Sequence, residues 1–249
     1  MITGFRIICL STFLLLQVII FPCYAQSFEG SITIKVDQKD EEKSSRLTVK
    51  GDKTLLEIEV DSSQSFKIIK DRSAETSTML RKRNDLKYGF RVNYVPEPDI
   101  PTVNINSNVT TEITDEVKMI GKYSCTKMKF KSPHALAEAW ITKDLGFSLS
   151  RYYPEFTGNS EDQHLSDLRK AVDKEGFVVS YWEKIPDTGK EINVEITVEQ
   201  KDVPLETFNT GEYLVLDKDG MTRLAQNAQH DEVAKKQWAE FLQLFGNGN

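Results

Sequence analysis

Much of the chain alternates apolar and polar side chains with a period of two. In residues 28–36, Phe28, Ile32, Ile34 and Val36 share one parity, and Thr33 and Lys35 take the other. That is the pattern of a strand with one buried face. It returns at 45–51 and 54–60, on either side of Gly51-Asp52-Lys53, which reads as a hairpin turn. Strand-like runs follow at 65–71, 77–82 and 88–94. Strands so close together, with no helical stretch between them, predict an antiparallel meander. The signal resumes at 109–120, 123–130 and 136–142, then in a pair at 176–184 and 191–200 around a turn near Asp187 to Gly189.

Two segments change the period to that of a helix. Over 161–173, Leu165, Leu168 and Val172 fall on one face, and Glu161 and Asp162 suit the N-terminal end. Over 231–245, Val233, Ala234, Trp238, Phe241, Leu242 and Phe245 make a broad apolar stripe, with Gly246 just past its end. Residues 95–101 carry three prolines, so they are neither a central strand nor a helix interior. They read as an extended surface loop, or more sharply as a lid. The strand pattern on both sides favours one domain over residues 26–249.

The first 25 residues read differently. Arg6 precedes an apolar run from Ile7 to Phe21, and Ala25 stands at a cleavage edge. This describes a secretory signal peptide. The run is short for a membrane span, which needs about 20 residues, so no transmembrane segment is expected after cleavage. Pro22 before Cys23 suits a lipidation signal poorly. The expected location is the periplasm. Cys9 and Cys23 fall in the signal, which leaves Cys125 as a lone thiol and excludes an internal disulfide. It is expected to be a small buried hydrophobe rather than a nucleophile.

Composition narrows the chemistry. With 39% hydrophobic and 28% charged residues, the chain is neither disordered nor a multispanning membrane protein. A net charge of −6 argues against nucleic acid, whose phosphates demand surplus Lys and Arg. His134, His164 and His230 have no metal-ligand spacing, and no Gly-x-Ser-x-Gly elbow, phosphate loop or dinucleotide fingerprint occurs. The acidic cluster Asp37, Asp40, Glu41 and Glu42 is interleaved with Lys39 and Lys43, as in a solvated loop. No catalytic residue, metal or cofactor is expected, and the protein is not expected to be an enzyme.

Several blocks carry a resemblance. They are FEGSITIKV (28–36), KIIKDRSAETSTMLRK (67–82), IGKYSCTKMKF (120–130), AEAWITKDLGFSLSRYYPEF (137–156) and VEQKDVPLETFNTGEYLVLD (198–217). Together they are similar to domain of unknown function 4412, a family of exported proteins common in Bacteroidota. Gly121, Cys125, Glu138, Ala139, Trp140, Thr142, Lys143, Asp144, Leu145 and Gly146 stand at its pattern positions. Gly-Lys-Tyr replaces the usual Gly-Tyr-Lys at 121–123, which exchanges the inward side chain. The resemblance implies a fold like the lipoprotein carriers LolA and LolB. That is an α+β architecture, a strongly curved antiparallel sheet forming an incomplete barrel, capped by two or three helices. It implies no activity.

A half-barrel of that kind has an apolar concave face, which holds a hydrophobic ligand if side chains leave it unfilled. The candidate lining residues are Trp140, Phe66, Met79, Phe90, Met128, Phe130 and Phe147, with Tyr181 and Trp182 beside them. Trp140 leads, because Glu138 and Thr142 share its side of the strand and its N–H wants a partner. The expected function is a non-enzymatic binder or carrier of a lipid, a lipoprotein or another apolar ligand. The alternative is an envelope assembly or interaction protein with a filled core and a protein partner. A hydrolase with an unrecognised acidic pair ranks last.

Overall fold

A computed structural model describes residues 28–38, 41–61, 63–94, 109–153 and 163–245. The expected signal peptide, the proline-rich segment 95–101 and the Glu161-Asp162 helix start lie outside the described residues. The alternating runs form β1 (Gly30–Gln38), β2 (Glu41–Lys50), β3 (Lys53–Asp61), β4 (Gln64–Asp71), β5 (Thr76–Arg83) and β6 (Leu86–Asn93). After them come β7 (Thr110–Ile120), β8 (Tyr123–Lys131), β9 (Leu136–Thr142), β10 (Phe177–Ile185), β11 (Lys190–Gln200) and β12 (Leu214–Leu216). The helices are α1 (Gln163–Glu175), α2 (Lys218–Asn227) and α3 (Glu232–Phe245).

All the strands belong to one large curved sheet, in the order β12-β6-β5-β4-β3-β2-β1-β11-β10-β9-β8-β7. β1 to β6 form the expected meander. The expected fold class does not hold. Strands take 53% of the described residues and helices 22%, which makes the fold mostly β rather than α+β. The sheet is unclosed and it is mixed, because β12 runs parallel to β6. The large curved, unclosed sheet is consistent with the expected half-barrel, but it is a mixed sheet of twelve strands and not an antiparallel one. The physical reason is that a period of two fixes which face a residue takes but not which strand it pairs with. A three-residue strand such as β12 is also too short to show any period.

Cross-strand register carries one apolar row over eight strands: Val198, Ile32, Leu47, Leu56, Ile68, Met79, Phe90 and Leu216. The face bearing this row is called inner here. Helix α1 covers it on β8, β9 and β10, where Leu168 and Val172 are fully buried among Phe130, Ala139 and Tyr181. At the far edge α3 covers β5 and β6, burying Tyr88, Phe241 and Leu244 together. Its apolar stripe is narrower than the sequence suggests, since Val233 and Leu242 are exposed and Leu244 is buried instead.

The link from β11 to β12 runs over the outer face. Val203 and Phe208 pack there on Leu55, Ile69 and Leu80. Glu29 Oε1 fixes the start of this link, accepting from Val203 N–H at 2.9 Å and from Lys50 Nζ at 2.8 Å. Gly89 makes room for it, because a Cβ there would lie 2.6 Å from Leu80 Cδ2 and 3.0 Å from Val215 Cγ2. The chain thus grips the β6 edge from both faces.

Candidate functional site

The apolar row loses cover along its length. Ile32 and Leu47 are fully buried under the main core, while Ile68, Met79 and Phe90 keep part of their surface. Ile58 and Phe66, paired across β3 and β4 in the next row, are also partly exposed. These five side chains make an apolar strip between the area under α1 and the area under α3. Such side chains sit on strands because they are branched, aromatic or flexible and pack well on a pleated surface. Leaving five of them partly wet on an interior face is the feature of this sheet that calls for a ligand or a cover.

A small void lies at one end of the strip, lined by Thr54, Ile68, Lys70 and Tyr152 among others. Its volume of about 10 Å³ is that of a single water. Lys70 Nζ sits 5.8 Å from the centre of the Tyr94 ring. At the other end, Arg81 Nη1 donates to the Leu244 carbonyl. The Tyr88 hydroxyl donates to Glu240 Oε2 at 2.6 Å, and burial pushes the Tyr88 phenol up.

A second polar group lies under α1. Glu183 is 1% exposed, and it accepts from Arg169 Nε at 3.0 Å, from Arg169 Nη2 and from the Tyr181 hydroxyl at 2.6 Å. The guanidinium binds in bidentate fashion, which satisfies both carboxylate oxygens. Burial first, and then the Glu183 charge, hold the Tyr181 phenol well above its usual range. Nearby, Asp173 accepts from Ser150 N–H at 3.0 Å and from the Ser150 hydroxyl, and burial raises its carboxyl. The Glu183 and Asp173 carboxylates are engaged by partners within the fold, so they read as anchors for α1.

The residues singled out by sequence do not converge. Phe66, Met79 and Phe90 meet on the strip. Met128 and Phe130 are buried in the main core beneath α1. Phe147 joins an aromatic cluster with Phe28, Tyr152 and Phe177, at ring separations of 5.1 to 5.2 Å. Trp140 turns to the outer face, with the Lys118 ammonium 4.0 Å from its ring centre and Lys127 opposite it across β8. Tyr181 is the buried partner of Glu183, and Trp182 donates to Glu191 on the outer face at 2.5 Å. Ile58 and Ile68 are the strip residues that sequence reasoning missed. Their signal was their parity with Leu56 and Phe66, which identifies the face. Cys125 is fully buried, and burial raises its thiol, as expected of a small hydrophobe. Tyr123 is buried while Lys122 is exposed, which agrees with the exchanged inward residue. Among the described residues no helix is long and apolar enough to cross a membrane.

Residues 28–211 match the family described as domain of unknown function 4412, and the chain belongs to that family. No curated protein matches it. Among solved structures it is similar to PNGF-II in the C2 and P21 space groups, at 17% identity and TM-scores of 0.36 and 0.35. Those matches cover 77% and 79% of this chain but 31% and 33% of the solved ones, so it spans about a third of their length.

Proposed function

We propose that this member of the family is an exported, non-enzymatic carrier that holds an apolar ligand on the inner face of β3 to β6. The observation that carries the reading is the loss of cover along the apolar row, from fully buried Leu47 to partly exposed Ile68, Met79 and Phe90. Helices α1 and α3 cover the two flanks of the face and leave the middle strip for a guest. Export through a cleaved signal ending at Ala25 and residence in the periplasm belong to the same proposal. They supply a setting in which acyl chains need escort through water.

The test is native mass spectrometry of the protein purified mildly from its own host, with lipid extraction alongside. An acyl-chain species should co-purify. It should be lost in Met79→Asp that keeps its near-UV dichroism, and kept in Trp140→Asp, because Trp140 faces outward. A ligand-free protein that also fails to take up added lipid would refute the carrier reading.

A second reading, an envelope interaction protein, is favoured by β7, the end strand of the sheet among the described residues. Ile113, Val117 and Met119 are 68%, 63% and 63% exposed there. Crosslinking from position 117 to a protein partner in cells, with no lipid bound, would favour that alternative.

A further inference from the structure

The geometry points to a second copy of this chain as the partner of β7: two molecules pair their β7 strands antiparallel about a two-fold axis at Asp115. Register with β8 sets Ile113 opposite Met128 and Val117 opposite Thr126, which puts both, and Met119 with them, on the inner face. All three stay about two-thirds exposed. Glu112 and Lys118 take the outer face, where the Lys118 ammonium lies over the Trp140 ring. β7 is also the end strand of the sheet among the described residues. Apolar side chains exposed along a terminal strand invite another strand to pair there.

The first observation that selects a second copy is a bulge. Between Ile113 and Val117, three residues of β7 stand opposite one of β8, Lys127. The Thr114 hydroxyl fixes this arch, donating to the Lys127 carbonyl at 2.9 Å and accepting from Glu116 N–H at 3.2 Å. A bulge ordinarily protects an edge, since a straight partner strand falls out of register across it. A strand with the same excess at the same place does not. In an antiparallel pair centred on Asp115 the two arches face each other, and residues 110–113 of one copy meet 117–120 of the other on both sides of the axis.

The second observation is that β7 complements itself in that register. Thr111 meets Met119, Glu112 meets Lys118 and Ile113 meets Val117, and the two-fold axis repeats each pair. Residues opposite each other share a face, so the apolar pair lies on the inner face and the ion pair on the outer. Moving the axis by one residue sets Val117 against Asp115 in one direction and Glu112 against Glu116 in the other. A shift by half that step puts apolar positions against the opposite face. The chosen register has one cost, the like charges of the two Asp115 residues at the axis. A single strand edge with short apolar rows is the scale of a transient interface, so monomer and dimer should exchange at micromolar concentration.

The test is sedimentation velocity of the full chain as purified from its host, between about 1 and 100 μM. Sedimentation should rise with concentration towards that of a dimer. Glu112→Lys and Lys118→Glu should each weaken the dimer about tenfold or more, because each turns two attractive pairs into repulsive ones. An equimolar mixture of the two variants should dimerise as the unaltered chain does, since every pair between them is again of opposite sign. The mixture also controls for the loss of the ammonium over Trp140. Asp115→Asn should tighten the dimer by removing the repulsion at the axis. A chain that stays monomeric at about 100 μM, or a dimer indifferent to Glu112→Lys in a folded protein, overturns the assignment. Should a charge variant fail to fold, Asp115→Asn decides, and a dimer that it does not tighten overturns the assignment as well. Self-pairing at β7 stands apart from ligand binding at β3 to β6, so each can fail without the other.

Discussion

Replacing Arg169 by Met should be among the most damaging single changes under α1. The reason is an asymmetry within the pair. The Glu183 side chain is 2% exposed and that of Arg169 is 20% exposed, so water reaches the cation but not the carboxylate. Arg169→Met strands a buried charge whose remaining described partner is the Tyr181 hydroxyl. Breaking a buried pair from one side costs about 3–5 kcal/mol. Against a total stability of about 5–15 kcal/mol, that is at least about a fifth. It corresponds to a fall in Tm of roughly 6–20 °C, at about 2–4 °C per kcal/mol for a chain of this size. Glu183→Gln should cost less, because the amide oxygen still accepts from Tyr181 and Arg169 can turn to solvent. Arg169→Met combined with Glu183→Gln should recover most of the loss, since no buried charge remains. The assay is urea unfolding followed by tryptophan fluorescence at pH 8. A deficit under 1 kcal/mol would show that the pair is not what holds this helix down.

Asp173 gives a pH prediction of its own. Burial raises its folded-state carboxyl above 3.8, so the folded chain binds that proton more tightly than the unfolded one. The contribution of this group therefore declines as pH rises from 3.8 through the raised value. Asp173→Asn should gain on the parent over that window in urea midpoints, and a constant gap would contradict the sign. Phe241 is 5% exposed and stacks on Trp238 and Phe245 at 5.8 and 4.9 Å. Phe241→Ala should cost about 3–5 kcal/mol by denaturant unfolding, and a loss below 1 kcal/mol would mean α3 contributes little to the fold.

Most of the strands were legible because they bury one face, and the spans 136–142 and 191–200 match β9 and β11 to within a residue. α2 was not legible. Its apolar stripe, Met221, Leu224 and Ala225, is short and leaves no residue fully buried, and its start is marked by Asp217, whose carboxylate accepts from Gly220 N–H at 2.6 Å. Trp140 shows where the rule that large apolar residues point inward fails. On β9 the inward positions are Ala137, Ala139 and Ile141, and the two alanines lie in the core that Ala171 of α1 also enters. Small side chains let the helix approach the sheet, so the bulky indole takes the opposite face. The strip was half legible. Phe66, Met79 and Phe90 announce themselves by size, but only the register sets them beside Ile58 and Ile68. The parallel edge was hidden, because a pairing across more than a hundred residues leaves no local trace.

One such pairing has consequences for how the chain is made. β1 sits at the middle of the sheet, bonded to β2 on one side and to β11 on the other. β2 follows within a few residues, whereas Asp37 waits for Asn193 and Gly30 for Gln200. A chain synthesised from its N-terminus at about 5–20 residues per second completes the six-stranded meander first. It then leaves one side of β1 bare for roughly 5–20 s more. During that interval the β11-facing edge of β1, the strand that carries Ile32 and Ile34, later among the best-buried residues of the molecule, is open to other chains. The stability of the finished sheet and the hazard of assembling it come from the same strand, and a folding helper that guards this protein would have to hold β1 until β11 arrives.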